Sequence, residues 1–204
     1  MNKTELIIIL DMSGSMYPLT DDTVQGYNSL IDQQKKLEGE ANVTLVLFND
    51  EYKKVLDRVP LQEVKELTKE DYVAHSTTAL YDAIGKTITD FPNVEDGVKV
   101  MLSITTDGQE NSSKEFNRKT VKTMLEDKQK LGWEVLFIGA DINSLEEAAE
   151  IGIPIKKAAM YRADGKGTGL MFEAMSAGMS MLRKKGFVDD SWKEAIEEDY
   201  KERK

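Results

Sequence analysis

The sequence contains no cysteine among its 204 residues and only one histidine, His75. Without cysteine the chain forms no disulfide, offers no thiolate to a metal and has no thiol nucleophile. The lone histidine cannot complete a zinc site without cysteine, and no neighbouring pattern indicates a Ser-His-Asp triad. We therefore expect no thiol or zinc chemistry, and the composition fits a reducing compartment.

Long apolar runs and clustered positive charges are also scarce. The apolar run at residues 6–10 is too short for a signal sequence or a membrane span. The 27 Lys and Arg are outnumbered by 37 Asp and Glu, giving a net charge of −10, and the basic residues are interleaved with the acidic ones. Such a surface repels phosphates. We expect a soluble cytoplasmic protein that binds neither nucleic acid nor membrane.

Predicted strands alternate with predicted helices along most of the chain. The strands are predicted at 6–10, 43–48, 52–59, 98–105 and 133–138, with a short sixth one from Ile155. The helices are predicted at 20–37, 61–72, 79–91 and 113–131, the last opened by a Ser112-x-x-Glu115 capping box, with another beginning at Ser144. This alternation predicts an α/β fold with a doubly wound, mostly parallel, Rossmann-like sheet and one antiparallel edge strand at 52–59.

The C-terminal part is predicted to be helical. We divide the chain into an α/β domain at 1–158 and a helical extension at 159–204, packed on or beside it, with helices at 168–185 and 191–203. A stripe of Met171, Met175, Gly178 and Leu182 favours a helix that covers the sheet, although methionine-rich faces can also bind partners. A second stripe, opened by a Ser191-x-x-Glu194 capping box, either docks on its own domain or mediates assembly; it consists of Trp192, Ile196 and Tyr200. The sequence leaves the oligomeric state open.

Side chains with oxygen donors follow two of the predicted strands and precede one helix. The candidate metal ligands are Asp11, Ser13, Ser15, Asp107 and a hydroxyl of Thr77 or Thr78. In open α/β sheets ligands bind beyond the carboxyl ends of the strands, where the strand order reverses. Oxygen donors without nitrogen or sulfur suit a hard cation, Mg²⁺ first and Mn²⁺ or Ca²⁺ next. The sequence thus predicts a divalent-cation site.

Three segments carry these oxygens: DMSGS at 11–15, STTALYDA at 76–83 and TTDG at 105–108. Together they resemble the metal-ion-dependent adhesion site (MIDAS) of von Willebrand factor A (VWA) domains, over roughly residues 4–157 and in a short intracellular form of bacterial or phage type. Thr78 is preferred to Thr77 as the ligand because Ala-Leu-Tyr-Asp follows it directly.

The resemblance implies a function in binding. Ser13, Ser15 and Thr78 would bind the metal through their hydroxyls, while Asp11 and Asp107 would act through water. The cation would then keep its attraction for a carboxylate from an Asp or Glu of a partner protein. On this reading the chain is not an enzyme.

Two other readings of Asp11 remain. It could be the nucleophile of a metal-dependent phosphohydrolase or phosphotransferase, although Ser13 occupies the place of the usual second carboxylate. It could also belong, with the serines, to an ordinary turn. The GKGTG segment at 165–169 follows no strand and is weak as a phosphate loop. We expect His75 to be a loop residue and Glu110 a solvated charge at the rim.

Overall fold

A computed structural model describes residues 3–140 and 143–203. The described residues form a sheet of six strands in the order β3-β2-β1-β4-β5-β6, in which only β3 is antiparallel to its neighbour. The strands are β1 (Thr4–Asp11), β2 (Ala41–Phe48), β3 (Tyr52–Pro60), β4 (Lys99–Thr106), β5 (Glu134–Gly139) and β6 (Ala158–Met160). The predicted fold class, with its antiparallel edge strand, is confirmed.

Helices cover both faces of the sheet. They are α1 (Thr20–Lys35), α2 (Leu80–Asp90), α3 (Arg118–Lys130), α4 (Asn143–Glu150), α5 (Gly165–Lys185) and α6 (Glu194–Glu202). Apolar residues of α1, α5 and α6 share one hydrophobic cluster, and those of α2, α3 and α4 share the other. None of the described helices has both the length and the apolar character needed to span a membrane.

β1 shows why the chain folds in this way. All eight of its residues are buried. Ile8 and Leu10 point into the cluster that contains α1, α5 and α6. Ile7 and Ile9 point into the cluster on the opposite face, which contains α2, α3 and α4. Successive side chains of a strand face opposite sides of the sheet, so a continuous apolar run is the pattern of a strand covered on both faces.

The strand order reverses between β1 and β4. β1 pairs with β2 on one side and with β4 on the other, both in parallel. The chain leaves β1 towards β2 and leaves β4 in the opposite direction, towards β5, so the loops after these two adjacent strands diverge and open a crevice at their carboxyl ends. Asp11 ends β1 and Thr106 ends β4, directly before Asp107.

Two predicted helical segments are corrected. Residues 61–72 contain only a short 3-10 turn, Leu61–Glu63. Leu61, Val64 and Leu67 are spaced as on a helix and are buried, but Leu67 is held by its backbone to the Asn28 side chain on α1. The segment is a strap across α1, so the apolar spacing was misleading.

The predicted Ser112-x-x-Glu115 capping box does not form. α3 begins at Arg118, where Asn117 caps the helix by accepting a hydrogen bond from Thr120 N. The amides of residues 114–116 instead donate to the carboxylate of Asp82 on α2. Asp82, a buried carboxylate from another helix, takes the Glu115 N–H that the capping box would have used, and Ser112 N donates to Glu110.

Two smaller boundaries also move. The sixth strand starts at Ala158, after a 3-10 turn at Ile155–Lys157. α5 begins at Gly165, ahead of the predicted 168, because Asp164 accepts a hydrogen bond from Gly167 N as the N-cap.

The C-terminal helices dock on their own chain. Met171, Met175 and Leu182 are buried in the cluster that α5 shares with the sheet, which confirms the predicted covering helix. Trp192 joins the same cluster and donates its indole N–H to Lys156 O at 3.1 Å. The division at residue 158 stays a prediction; in the structure that residue is the first of β6.

Candidate metal centre

Asp11 is held by its neighbours from several directions. It is 1% exposed. Its Oδ1 accepts a hydrogen bond from Ser13 N at 2.7 Å, and its Oδ2 accepts one from Thr106 Oγ1 at 2.6 Å. The hydroxyl of Tyr72 donates to the backbone carbonyl of Asp11 at 2.5 Å. The carboxylate therefore has a fixed orientation and little freedom to reach outward.

The two serines lie between Asp11 and Asp107. Ser13 Oγ and Ser15 Oγ are 3.2 Å apart, and Ser15 Oγ donates to Asp107 Oδ1 at 2.6 Å. Ser13 is buried and Ser15 is exposed, so the pair runs from the sheet edge to the surface. The spacing of two residues brings both hydroxyls to one side, as predicted.

The loop before α2 is fastened to the loop after β1. His75 N donates to Met12 O at 3.0 Å, and Gly14 N donates to Ser76 O at 2.9 Å. These two bonds place Thr78, whose side chain is buried, beside the serines, whereas Thr77 is exposed. His75 is an exposed loop residue, as expected.

The three hydroxyls surround one spot next to Gly108. A Cβ built on Gly108 would lie 3.0 Å from Thr78 Oγ1, 3.8 Å from Ser15 Oγ and 3.9 Å from Ser13 Oγ. A side chain at position 108 would occupy the space that these oxygens share. The five predicted residues are thus brought together: Asp107 accepts a hydrogen bond from the Ser15 hydroxyl, and Asp11 accepts one from the backbone N–H of Ser13.

The electrostatics of the spot favour positive charge. Burial raises the pKa of Asp11, although hydrogen bonds from Ser13 and Thr106 act in the opposite direction. Burial also raises the pKa of Asp107 to about 6, and the nearby charge of Asp11 adds to this effect. Two carboxylates that are poorly solvated and close together are each stabilised by a cation. Among the described residues no three carboxylates or histidines are placed so that they could hold a metal ion together. At this centre the oxygens besides those of the two aspartates belong to hydroxyls.

Some residues that shape the centre were not predicted. Thr106 orients Asp11, and Asn111 exchanges two hydrogen bonds with Thr78, accepting from its N–H at 2.9 Å and donating to its carbonyl at 3.0 Å. Thr106 could have been suspected from its place directly before Asp107. Nothing in the sequence indicates the Tyr72 contact with Asp11.

Glu110 is not the solvated rim charge that we expected. Its Oε1 accepts from the backbone amides of Ser112 and Ser113, and its Oε2 accepts from Ser113 Oγ and from Tyr81 N. The carboxylate thus links the loop after β4 to the first turn of α2. Its role is to support the segment that carries Thr78.

Comparison with known proteins finds similarity in structure alone. Neither a family model nor a curated protein sequence matches the chain. Among solved structures, the vWF domain of the type V pilus tip protein Mfa5 from Porphyromonas gingivalis superposes with a TM-score of 0.68 at 9% identity, over 93% of this chain and 99% of that one. The pilus adhesin SpaC from Lactobacillus rhamnosus GG gives a TM-score of 0.68 at 13% identity, over 86% and 30%.

Proximal thread matrix protein 1 from the mussel byssus is a further neighbour. Its structure with a zinc-occupied MIDAS motif gives a TM-score of 0.63 at 16% identity, over 86% of this chain and 45% of that one. The chain spans about half the length of this matrix protein. Two further structures of the same protein are also similar to the chain. At these identities the likeness concerns the fold, and the chain has the Rossmann-like fold of VWA domains.

Proposed function

We propose that the chain is a protein-binding module of VWA type that depends on a divalent cation. Ser13, Ser15 and Thr78 would supply hydroxyl ligands, and Asp11 and Asp107 would balance the charge. The cation, Mg²⁺ by preference, would present an open position to an Asp or Glu carboxylate of a partner protein. The convergence of the three hydroxyls beside Gly108 is the observation that carries this proposal.

The donor set supports a hard cation. Every candidate ligand atom is an oxygen, and Mg²⁺ prefers carboxylate, hydroxyl and water oxygens. Both oxygens of Asp11 already accept hydrogen bonds, whereas the three hydroxyl oxygens lie around the spot beside Gly108. A cation with mostly neutral ligands keeps a strong attraction for an anionic group from outside. The zinc-occupied MIDAS motif of the byssus protein supports the use of a divalent metal in this fold.

Binding explains the site better than phosphoryl chemistry does. A nucleophilic Asp11 would have to reach a phosphorus atom, but the carboxylate is 1% exposed and held at both oxygens. Position 13 offers a hydroxyl where such an enzyme usually has a second carboxylate. The adhesin among the structural neighbours also favours a binding role.

We keep the short intracellular form and the cytoplasmic location as predictions, since the composition still supports them.

Peptide display tests this function. A peptide library with a fixed central Asp, and a matched library with Asn in its place, are selected on the immobilised chain in MgCl₂ and in EDTA. We expect binding of the Asp library in MgCl₂ only, and its loss in Asp107→Ala. Equal binding of the two libraries, or binding that survives EDTA, would contradict the proposal. Hydrolysis of p-nitrophenyl phosphate that is lost in Asp11→Asn would favour the phosphohydrolase instead.

A further inference from the structure

We propose that a cavity at the end of the sheet opposite the metal centre binds an acidic and apolar segment of a partner protein, in which a large apolar residue has an Asp or Glu close to it. This inference goes beyond the proposed function and does not depend on it, because the two surfaces lie at opposite ends of the strands. It follows from the position of the cavity, the apolar side chains exposed around it and its charge.

The cavity lies at the amino end of β5 and has a volume of about 400 Å³. Its walls are the turn between α3 and β5, the segment before β6 and the turn after α5. Hydrogen bonds fix these walls: Trp192 donates its indole N–H to Lys156 O at 3.1 Å, and Lys157 Nζ donates to Val188 O at 2.7 Å. A cavity held in this way needs little ordering when a partner binds.

Large apolar side chains are exposed around the cavity. Phe187, which lines it, is 53% exposed. Ile155 is 72% exposed and lies between two lining residues, and Leu131, 74% exposed, directly precedes another. In the part of the chain that the structure describes, only two other large apolar side chains are as exposed, Tyr17 and Val73. Exposed apolar side chains grouped around a cavity are typical of a surface that another molecule covers.

The charge of the cavity is opposite to that of the whole chain. Two lysines and one glutamate line it, and Lys157 pairs with Glu134 at 2.5 Å. The remaining lysine, Lys156, is exposed, and no carboxylate within 3–140 and 143–203 pairs with its ammonium group. The lining therefore has an excess of one positive charge, on a chain whose net charge is −10.

Lys99 adds a second positive charge to this surface. Its Nζ would lie 3.9 Å from a Cβ built on Gly186, the residue directly before Phe187. Asp189, which follows in the same turn, is already paired with Lys185 at 3.0 Å, and the acidic residues of the 92–98 loop line a neighbouring cavity and not this one. An exposed ring with lysines on both sides is complementary to a segment that carries both apolar side chains and carboxylates.

Peptide display in EDTA tests the inference, since EDTA removes any metal and with it the carboxylate binding of the proposed function. Short random peptides are selected on the immobilised parent chain. The net charge of the chain alone would enrich Lys and Arg. We expect the opposite: Asp and Glu enriched at least about threefold next to Leu, Phe or Trp, the size of effect that an exposed charge pair gives.

Two variants then locate the binding site. The most enriched peptide is synthesised with a fluorescein label and titrated by fluorescence polarisation. Phe187→Ser should weaken its binding at least about fivefold, because an aromatic side chain is lost from the contact. Lys156→Glu should weaken it at least about threefold, because one exposed charge is reversed. Both side chains are exposed, and circular dichroism checks that both variants keep the fold.

Tyr17→Ser and Lys119→Glu are the matched controls. Tyr17 is 72% exposed in the loop after β1, at the metal end of the sheet. Lys119 is exposed in the first turn of α3, the helix whose other end leads to the cavity. Each control removes the same kind of side chain or reverses the same charge, and neither should change the affinity.

Several results would overturn the inference. They are the absence of selected peptides, enrichment of Lys and Arg instead of Asp and Glu, and an equal loss of affinity in the variants and their controls. A dimer in light scattering that dissociates in Phe187→Ser would also overturn it, because the surface would then belong to a second copy of the chain.

The two proposals can fail separately. Acidic peptides bound at this cavity would also survive EDTA in the Asp library, so that library and its Asn counterpart are selected on the double variant Phe187→Ser/Lys156→Glu as well. Binding of the Asp library that still requires MgCl₂ there supports the metal centre alone. Loss of the metal-dependent binding, with the EDTA-resistant peptides still bound by the parent chain, would contradict the proposed function and leave this inference intact.

Discussion

Thr106 donates a hydrogen bond to Asp11 Oδ2 at 2.6 Å, and so joins the end of β4 to the end of β1. The bond crosses the point at which the strand order reverses. Thr106 Oγ1 also accepts a hydrogen bond from Gly108 N at 3.2 Å. One hydroxyl therefore fixes both the carboxylate of Asp11 and the backbone of the glycine beside which the three other hydroxyls meet.

Thr106→Val should weaken metal binding without removing a proposed ligand. Valine has nearly the same shape but leaves Asp11 Oδ2 buried without this donor, which should lower the free energy of unfolding by about 1–3 kcal/mol. A lost supporting contact of a metal ligand typically weakens affinity by about 10- to 100-fold. Urea unfolding and calorimetric titration with MgCl₂ measure the two effects.

Thr123→Val is the control for that substitution. Thr123 is exposed on α3 and donates only to Lys119 O, one helical turn earlier. We expect a change in stability within about 0.5 kcal/mol and no change in metal affinity. An unchanged affinity in Thr106→Val as well would contradict the role given to Thr106.

Thr78 and Thr77 form a natural pair for locating the threonine ligand. Thr78 is 3% exposed, with its hydroxyl among the converging oxygens, whereas Thr77 faces solvent. Replacing Thr78 by Val should reduce Mg²⁺ affinity at least about tenfold, since a hydroxyl ligand is lost, and Thr77→Val should leave it unchanged. The opposite ranking in a titration would move the ligand to Thr77.

The sequence predicted most of this arrangement because its signals are local. The apolar run of β1 and the oxygens spaced by two after it can be recognised within one segment, and topology then places Asp107 next to them. Residues 61–72 were wrongly predicted as a helix because the strap is held by Asn28, a contact distant in sequence. Glu110 was misjudged for the same reason: its partner Tyr81 N lies on another element.

Trp192 should be a major contributor to stability. It is 2% exposed in the cluster shared with α5. Trp192→Ala should cost about 3–5 kcal/mol in chemical unfolding, whereas Phe187→Ala should cost much less because Phe187 is 53% exposed. Light scattering should give the same oligomeric mass for both variants and the parent chain. A Trp192 variant with parent-like stability and a lower mass would assign the C-terminal stripe to assembly.

Asp164 should make the free energy of unfolding depend on pH in the acid range. The Arg203 guanidinium lowers the pKa of this carboxyl, which also accepts the N-cap hydrogen bond from Gly167. A lowered pKa in the folded state stabilises the protein above the unfolded value of about 3.9, and this contribution is lost as the pH falls through the folded pKa.

Asp164→Asn keeps a good N-cap but removes the charge. In EDTA, the parent chain should be the more stable of the two near neutral pH, by at most about 1 kcal/mol because the pair is partly exposed. The difference should shrink as the pH drops below about 4. A difference that stays constant across this range would show that the charge of Asp164 does not contribute.

Calorimetric titration with MgCl₂ tests the central claim most directly. The parent chain and a matched control, Asp21→Ala, should bind one Mg²⁺; Asp21 is exposed and pairs only with the exposed Lys69. Asp11→Ala and Asp107→Ala should show no binding heat while keeping their circular dichroism spectra. If both variants bind Mg²⁺ as the parent does, or if the parent binds neither Mg²⁺ nor Mn²⁺, the oxygens gathered beside Gly108 do not form a metal centre.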